Sequence, residues 1–336
     1  MNAKILDGKV VRDKIGHDLK SKIETLRAEN PQGLRPKLTI IQVGDLPESN
    51  AYIRQKILFG EKIGAIVQHK KLAEDFSRID LEVLVANLNS DKSTHGIIVQ
   101  LPIPDNLDKD QIINKIDPIK DVDGQTATNL KLLFEGLSSR HPRESEDQIL
   151  KQAFGSETQA RRVENDRKIN LGYLPATTKG ILTLLDYYKI PVAGKNVTVV
   201  GRSSLVGKPT ALALVNLDAT VTICHSRTKK LPEKTKNADI LIVAAGKPNL
   251  IAENHVSPNQ TVIDVGINLV NQKPTTRNQQ PESELPNCKL IGDVKFDEVA
   301  KIVSAISPVP GGVGPMTVAS LFQNLLEAYN RQIDIN

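Results

Sequence analysis

The chain is poor in aromatic side chains: Phe, Trp and Tyr make up 3% of its 336 residues, and tryptophan is absent. Nucleic-acid bases stack on such rings, so composition gives no support to a nucleic-acid partner. Cysteine is nearly absent too, with Cys224 inside an expected strand and Cys288 in a polar stretch. Two cysteines so placed make no disulfide framework and fit a reducing compartment. None of the six histidines stands in a metal-ligand cluster. His95 and His255 fall at element edges, where solvated or structural roles suffice, so no metal is expected. No apolar run reaches the roughly 18 residues that a membrane helix needs. The first residues carry Lys4, Asp7, Lys9, Arg12 and Asp13, which excludes a signal peptide there. No GxxxxGK[ST] loop occurs, and no Ser-His-Asp set can be assembled. A cytoplasmic location without membrane contact is the expectation.

What remains is ordinary for a soluble globular enzyme, with 39% hydrophobic and 25% charged residues. The net charge of +5 and pI near 9.0 suit anionic ligands without requiring one. The length is comfortable for two domains.

The stretch Val197–Lys208, V-T-V-V-G-R-S-S-L-V-G-K, organises the chain. Small and β-branched residues make a buried strand, and Gly201 breaks it. A polar turn follows, and Gly207 sits just before a helix that Pro209 can open. Strand, glycine turn and helix N-terminus make a phosphate site, because free N–H groups and the positive end of the helix dipole face the anion. The landmarks are Gly201, Ser203 and Gly207, one residue longer than G-x-G-x-x-G, and an ordinary strand-to-helix turn reads the same way. The next strand, Thr220–Cys224, ends where a dinucleotide fold meets the adenosine ribose. The chain there reads His225-Ser226-Arg227-Thr228, without the carboxylate of an NAD site. A hydroxyl and a guanidinium, with Arg202 as a second planar cation, favour the 2′-phosphate of NADP.

Val11, Ile15, Leu19 and Ile23 recur every four residues, which predicts an amphipathic helix. Strand Lys37–Val43, helix Glu48–Ile63, strand Ala65–Lys70, helix Arg78–Leu88 capped by Ser77, strand Gly96–Leu101 and helix Lys109–Ile116 then alternate. Such alternation predicts a parallel sheet covered on both faces. Ser138–Asn170 is charged and apolar-poor, and reads as a surface insertion. A second domain begins near Tyr173, with helix Lys179–Tyr188 and strands at Asn196, Ile240–Ala244, Thr261–Val265 and Lys289–Ile291. Asn271–Asn287 is a polar excursion. Pro308–Pro315, P-V-P-G-G-V-G-P, is too rich in Gly and Pro for regular structure and lets backbone approach a ligand. A closing helix carries Val318, Leu321, Phe322, Leu325 and Tyr329.

Tyr52 and Lys56 stand four apart on one predicted helix and share a face. A lysine carries protons near neutrality only if its surroundings lower its pKa. Gln100 lies at the carboxyl end of a strand, where ligands bind in parallel sheets, and its neutral amide can hold the lysine without fixing its charge. In Asp121-Val122-Asp123-Gly124, one carboxylate can accept paired hydrogen bonds from an amidine-like ring edge, or the segment is only a capped turn.

With these residues in place, the chain resembles the bifunctional methylenetetrahydrofolate dehydrogenase/methenyltetrahydrofolate cyclohydrolase family. The resemblance rests on V-G-D-L-P-E-S-N-A-Y-I-R-Q-K, G-I-I-V-Q-L-P, K-D-V-D-G, V-V-G-R-S-S-L-V-G-K-P, H-S-R-T, D-V-G-I-N and P-V-P-G-G-V-G-P-M-T, in that order. It implies an α/β chain of two domains flanking a cleft. One is a three-layer folate-binding domain over 1–137, with helix 316–336 packing back on it. The other is a Rossmann-type NADP-binding domain over 171–315. The insertion 138–170 lies between them. It implies Lys56 as catalytic, held by Gln100, with Tyr52 stacking near the folate ring and Asp123 on the pterin edge. Val99, Leu101, Pro310, Gly311 and Gly312 would border the folate. Gly201, Arg202, Ser203, Gly207, Ser226 and Ile267 would contact NADP. It further implies a homodimer, and substrates drawn from the one-carbon derivatives of tetrahydrofolate. Pro175-Ala176-Thr177-Thr178 departs from the family's P-C-T-P in a loop lining the cleft. The alternative from another class is a folate- and NADP-binding paralogue without catalysis.

Overall fold

The computed structural model describes residues 3–29, 35–135, 172–271 and 288–334. The expected insertion at 138–170 lies outside them, as does the excursion expected over Asn271–Asn287 apart from Asn271 itself.

Among the described residues the chain begins with a short strand, β1 (Lys4–Ile5), and a long helix, α1 (Gly8–Glu29). It then alternates through β2 (Lys37–Val43), α2 (Pro47–Ile63), β3 (Ile66–Leu72), α3 (Arg78–Ser90) and β4 (Gly96–Val99). Two short helices follow, α4 (Lys109–Ile113) and α5 (Ala127–Phe134). The three strands form a parallel sheet in the order β3-β2-β4. Central β2 is buried along almost its whole length, as a strand covered on both faces must be. One face meets α1 and α2 through Ile15, Leu19, Ile53 and Phe59. The other meets α3 and α4 through Leu81, Val85, Leu88 and Ile112. Pro47 opens α2 at its first positions and Gly64, at φ +86°, closes it. The Ser77 side chain caps α3 by accepting from the Asp80 N–H at 3.1 Å.

The second part runs α6 (Ala176–Tyr187), β5 (Asn196–Val200), α7 (Gly207–Val215), β6 (Thr220–Cys224), α8 (Leu231–Lys236), β7 (Ile240–Val243) and β8 (Thr261–Asp264). An antiparallel hairpin of β9 (Asn268–Asn271) and β10 (Cys288–Ile291) follows. The chain ends with α9 (Phe296–Val299), β11 (Ala305–Ile306) and α10 (Val313–Asp334). The sheet is parallel throughout, in the order β1-β11-β8-β7-β5-β6. After β5 the chain steps outward to β6 and then crosses back to β7. The switch point, where ligands settle in such sheets, therefore lies at the carboxyl ends of β5 and β7.

Several expectations need correction. The strand expected over Gly96–Leu101 stops at Val99, so Gln100 and Leu101 stand just past it. The helix expected to reach Ile116 stops at Ile113, because the Asn114 side chain turns back to donate to the Asp110 carbonyl at 2.7 Å. The closing helix begins inside the stretch expected to be irregular. Pro315 occupies its first turn, where no N–H is needed. The strand near residue 289 is one arm of a hairpin, with β9 as its other arm. β1 joins the second sheet by pairing with β11, although it precedes the first sheet in sequence. Among the described residues no helix is long and apolar enough to cross a membrane.

Helix α10 packs on α6, α1 and α2, with the Phe322 and Phe59 rings 5.4 Å apart. It thus ties the end of the chain to the beginning and brings both sheets into one apolar cluster.

Candidate active site

Lys56 projects from the same face of α2 as Tyr52. Its Nζ donates to Gln100 Oε1 at 2.8 Å. Gln100 cannot turn away. Its backbone N–H is held by the Ile41 carbonyl (2.8 Å), and its Nε2 donates to the Leu101 carbonyl (2.9 Å). The amide oxygen is thereby aimed at the ammonium. Burial pulls the Lys56 pKa below the usual lysine value, and the negative charge of Asp123 works against that fall. Burial pushes the Asp123 carboxyl up, opposed by the charge of Lys56 and reinforced by that of Asp121. The two groups form an apposed pair that burial drives toward neutrality from both sides. Burial also pushes the Tyr52 phenol up to about 12, so it stays a neutral hydroxyl.

The K-D-V-D-G segment divides its work residue by residue. Lys120 Nζ donates to the carbonyls of Leu88 (3.1 Å) and Asp91 (2.8 Å), where α3 ends. Asp121 is buried and accepts from the Thr126 N–H (2.7 Å) and from Asn129 Nδ2 (2.8 Å). Of the two carboxylates, Asp121 is therefore a structural anchor and Asp123 is the one beside Lys56. Gly124 has φ +69°, and a Cβ there would come within 2.7 Å of the Tyr173 carbonyl oxygen. Only glycine lets this turn press against the entry to α6.

The remaining residues expected at the folate lie in three settings. Val99 is part of the apolar cluster under α3, so only its backbone can border the cleft. Leu101 is half-buried beside Gln100. Pro310, Gly311 and Gly312 form a loop against the start of α1, where the Gly8 N–H donates to the Gly311 carbonyl at 2.9 Å. Gly311 has φ +111°. Ile267, expected at the cofactor, is half open to solvent, and its side chain reaches to 4.0 Å from the Cβ that Gly314 lacks. The segment after β8 therefore approaches the first turn of α10.

At the switch point Gly201 has φ +133°, and a Cβ would fall 2.1 Å from the Ala244 carbonyl oxygen at the end of β7. A Cβ on Gly207 would fall 2.3 Å from the Gly201 carbonyl oxygen. The turn between β5 and α7 thus closes on itself with no side chain in the way. Ser203 Oγ accepts from the N–H groups of Val206 (3.2 Å) and Gly207 (3.3 Å), two of the groups the sequence reading leaves free for an anion. Arg202 and Ser203 are exposed at the end of β5, and Ser226 and Arg227 are exposed at the end of neighbouring β6. A hydrogen bond from the His225 N–H to Thr228 Oγ1 (2.8 Å) shapes this second turn. No Asp or Glu occurs in 201–208 or 225–230. This cationic and hydroxyl-rich surface fits a dinucleotide that carries an extra phosphate.

Reading the sequence missed several residues that shape the site. Asp293 Oδ2 accepts from the Ala245 (2.7 Å) and Gly246 (2.9 Å) N–H groups after β7. Asp264 accepts from those of Gly266 (2.9 Å), Asp293 (3.1 Å) and Val294 (2.9 Å). Together they brace the loops after β7 and β8. Gln125 Nε2 reaches the Leu205 carbonyl at 3.4 Å, from the turn beside Asp123 to the glycine loop. Thr178, in the segment that departs from P-C-T-P, shares a buried hydroxyl–hydroxyl hydrogen bond of 3.0 Å with Thr210, joining α6 to α7. His95 is structural: it is buried, its Nδ1 accepts from the Lys37 N–H at 3.1 Å, and burial takes its pKa down to about 4. Among the described residues no group of three or more His, Cys, Asp or Glu could hold a metal ion.

Two family profiles match the chain. Residues 6–123 match "Tetrahydrofolate dehydrogenase/cyclohydrolase, catalytic domain", and residues 175–333 match the NAD(P)-binding domain of the same family. The bifunctional protein FolD of Ligilactobacillus salivarius is 39% identical over 333 residues, 99% of either chain. The crystal structure of the bifunctional enzyme FolD, a methylenetetrahydrofolate dehydrogenase/cyclohydrolase, from Campylobacter jejuni superposes with a TM-score of 0.80. It is 37% identical and covers 98% of this chain and 99% of its own. The Trypanosoma brucei N5,N10-methylenetetrahydrofolate dehydrogenase-cyclohydrolase, complexed with NADP cofactor and inhibitor, gives a TM-score of 0.83 at 31% identity over 99% of both chains. With both profiles in register and full-length relatives on either side of the comparison, the chain belongs to the tetrahydrofolate dehydrogenase/cyclohydrolase family.

Proposed function

We propose that the chain oxidises 5,10-methylenetetrahydrofolate to the 5,10-methenyl form with NADP, and hydrolyses the methenyl form to 10-formyltetrahydrofolate. The observation that carries this reading is the half-buried Lys56, held by a neutral amide and facing Asp123. NADP, when bound, supplies the hydride acceptor. For that step the chain's work is positioning: Tyr52 lies against the folate ring, Asp123 accepts from the pterin edge, and the Pro310–Gly312 loop borders the ring. Arg202, Ser203 and Ser226 hold the phosphates, with Arg202 and Ser226 at the 2′-phosphate, while Gly201, Gly207 and Ile267 line the cofactor. Hydrolysis needs a group that both takes and gives a proton. Water adds to the methenyl carbon, Lys56 moves the protons, and the ring opens. A lysine with a lowered pKa and a neutral hydrogen-bond partner suits that role, whereas a carboxylate partner would lock it as an ammonium.

The same reading places the folate site in 1–137 with helix 316–336 packed on it, and the cofactor site in 171–315. It also takes the chain to be a cytoplasmic homodimer, on the family resemblance and the scarcity of cysteine. Sedimentation equilibrium tests the dimer. The intact Lys56–Gln100–Asp123 set argues against a catalytically silent paralogue.

The test is a spectrophotometric assay of wild type and Lys56→Gln with 5,10-methylenetetrahydrofolate and NADP. NADPH formation by wild type, with methenyl hydrolysis lost in the variant, is the expected result. A folded wild type that binds NADP but reduces none would overturn the reading.

A further inference from the structure

Helix α10 is amphipathic, yet one position on its buried side is an amide. Asn324 is fully buried, like Leu321, Phe322, Leu325 and Ala328 of the same helix. A buried amide without partners is costly, and this one has three. Its Nδ2 donates to the carbonyls of Val122 (2.9 Å) and Leu174 (3.0 Å), and its Oδ1 accepts from Lys179 Nζ (2.7 Å). The two carbonyls are far apart in sequence, but in space they flank one feature. Val122 immediately precedes Asp123. Leu174 lies in the segment against which Gly124 packs, and its carbonyl carbon would be 2.9 Å from a Cβ on that glycine. The Asp123 carbonyl itself accepts from the Ala176 N–H at 3.2 Å.

We propose that Asn324 is a positioning residue for the folate site: its amide staples the Val122–Gly124 turn to the entry of α6 and so fixes where the Asp123 carboxylate stands against Lys56. The proposal rests on Asp123 being a folate ligand. Both amide protons are committed to the two backbone segments that meet at Asp123. Lys179, half-buried and drawn below its usual pKa by that burial, fixes which end of the amide faces them. Asn324 is fully buried, so removing it displaces Asp123 without removing a contact group.

Asn324→Asp separates this role from simple packing. It keeps the volume and strengthens the bond to Lys179, but it removes both donors and sets carboxylate against carbonyl. The experiment measures KM for 5,10-methylenetetrahydrofolate, kcat and the NADP dissociation constant in wild type, Asn324→Asp, Asn324→Ser and Asp123→Asn. Gln332→Met serves as control, losing a 2.8 Å bond from the same helix to the His95 carbonyl, away from the turn. The expected result is a folate KM raised about tenfold or more in Asn324→Asp, less in Asn324→Ser, with NADP affinity within about twofold of wild type and the control unmoved. If Asn324→Asp does not fold, Asn324→Ser decides the matter. Folded Asn324 variants with the wild-type folate KM, alongside an impaired Asp123→Asn, overturn the proposal and leave the site reading intact. An Asp123→Asn enzyme with unchanged folate KM overturns the site reading, and the proposal with it.

Discussion

Replacing Gln100 probes the proposed proton shuttle most directly, because two substitutions should fail in opposite ways. In Gln100→Met the 2.8 Å bond from Lys56 is lost and nothing else in the immediate contact set changes charge. A hydrogen bond to a charged group contributes about 1.5–3 kcal/mol. Losing it disfavours only the ammonium form. Burial already lowers the Lys56 pKa, and removing an acceptor lowers it further. At a pH where the wild-type lysine is partly deprotonated, the protonated fraction falls by roughly ten- to a hundredfold, since each 1.4 kcal/mol is a factor of ten. Methenyl hydrolysis should fall by that factor on the alkaline side, where the proton-giving half of the shuttle is lost, and the whole pH profile should move toward acid. Gln100→Glu does the reverse. A carboxylate at this distance holds the proton on Lys56, so the base half of the shuttle is lost and hydrolysis falls at every pH in the working range. NADPH formation should survive in both, because hydride transfer asks Lys56 for no proton. The assay is methenyl hydrolysis and NADPH formation followed separately across the pH range. A Gln100→Met enzyme whose hydrolysis profile is unmoved, or a Gln100→Glu enzyme that hydrolyses at the wild-type rate, would refute the shuttle.

Three further outcomes follow from the same contacts. Gly201→Ala puts a methyl 2.1 Å from the Ala244 carbonyl oxygen at φ +133°, which strains the loop by about 1–3 kcal/mol; NADP titration should show affinity reduced roughly tenfold or more. Ser226→Asp sets a carboxylate where the 2′-phosphate is expected, and should cut the preference for NADP over NAD by about tenfold or more in kcat/KM measured with each. Asp264 is pushed up to about 7 by burial against three backbone N–H donors, and an Asn there turns one acceptor into a donor. Asp264→Asn should cost about 1–3 kcal/mol in thermal unfolding. The native carboxyl binds more protons than the unfolded one between pH 4 and 7, roughly, so its contribution to stability declines as pH rises through that window. The melting-temperature gap between wild type and Asp264→Asn should therefore narrow from pH 5 toward pH 8, and a gap that widens would contradict the sign.

What was legible in the sequence, and what was not, divides along the range of the interaction. The four-residue spacing of Tyr52 and Lys56 puts both on one face of α2 through helix geometry alone, and Gln100 follows from standing just past the end of a buried strand. Both are local facts. The strand-and-helix alternation that predicts the parallel sheets is local as well. Misjudged ends have local causes that composition hides, such as the Asn114 side chain turning back on Asp110, or Pro315 tolerated in a first helical turn. Features with no local signal are those whose partner lies far along the chain. β1 is two residues long and is a strand only because Ala305 and Ile306 lie beside it. Asp264 and Asp293 look like any surface acid, and their burial becomes visible only when three strand ends converge. Asn324 is the extreme case. In an apolar stripe it reads as a polar interruption, and its two backbone acceptors are 202 and 150 residues away. Apolar burial is spread over many side chains and leaves a periodic trace, whereas a buried hydrogen bond concentrates its free energy in one pair and leaves none. The residues that set the precision of this site are therefore the ones that periodicity cannot find.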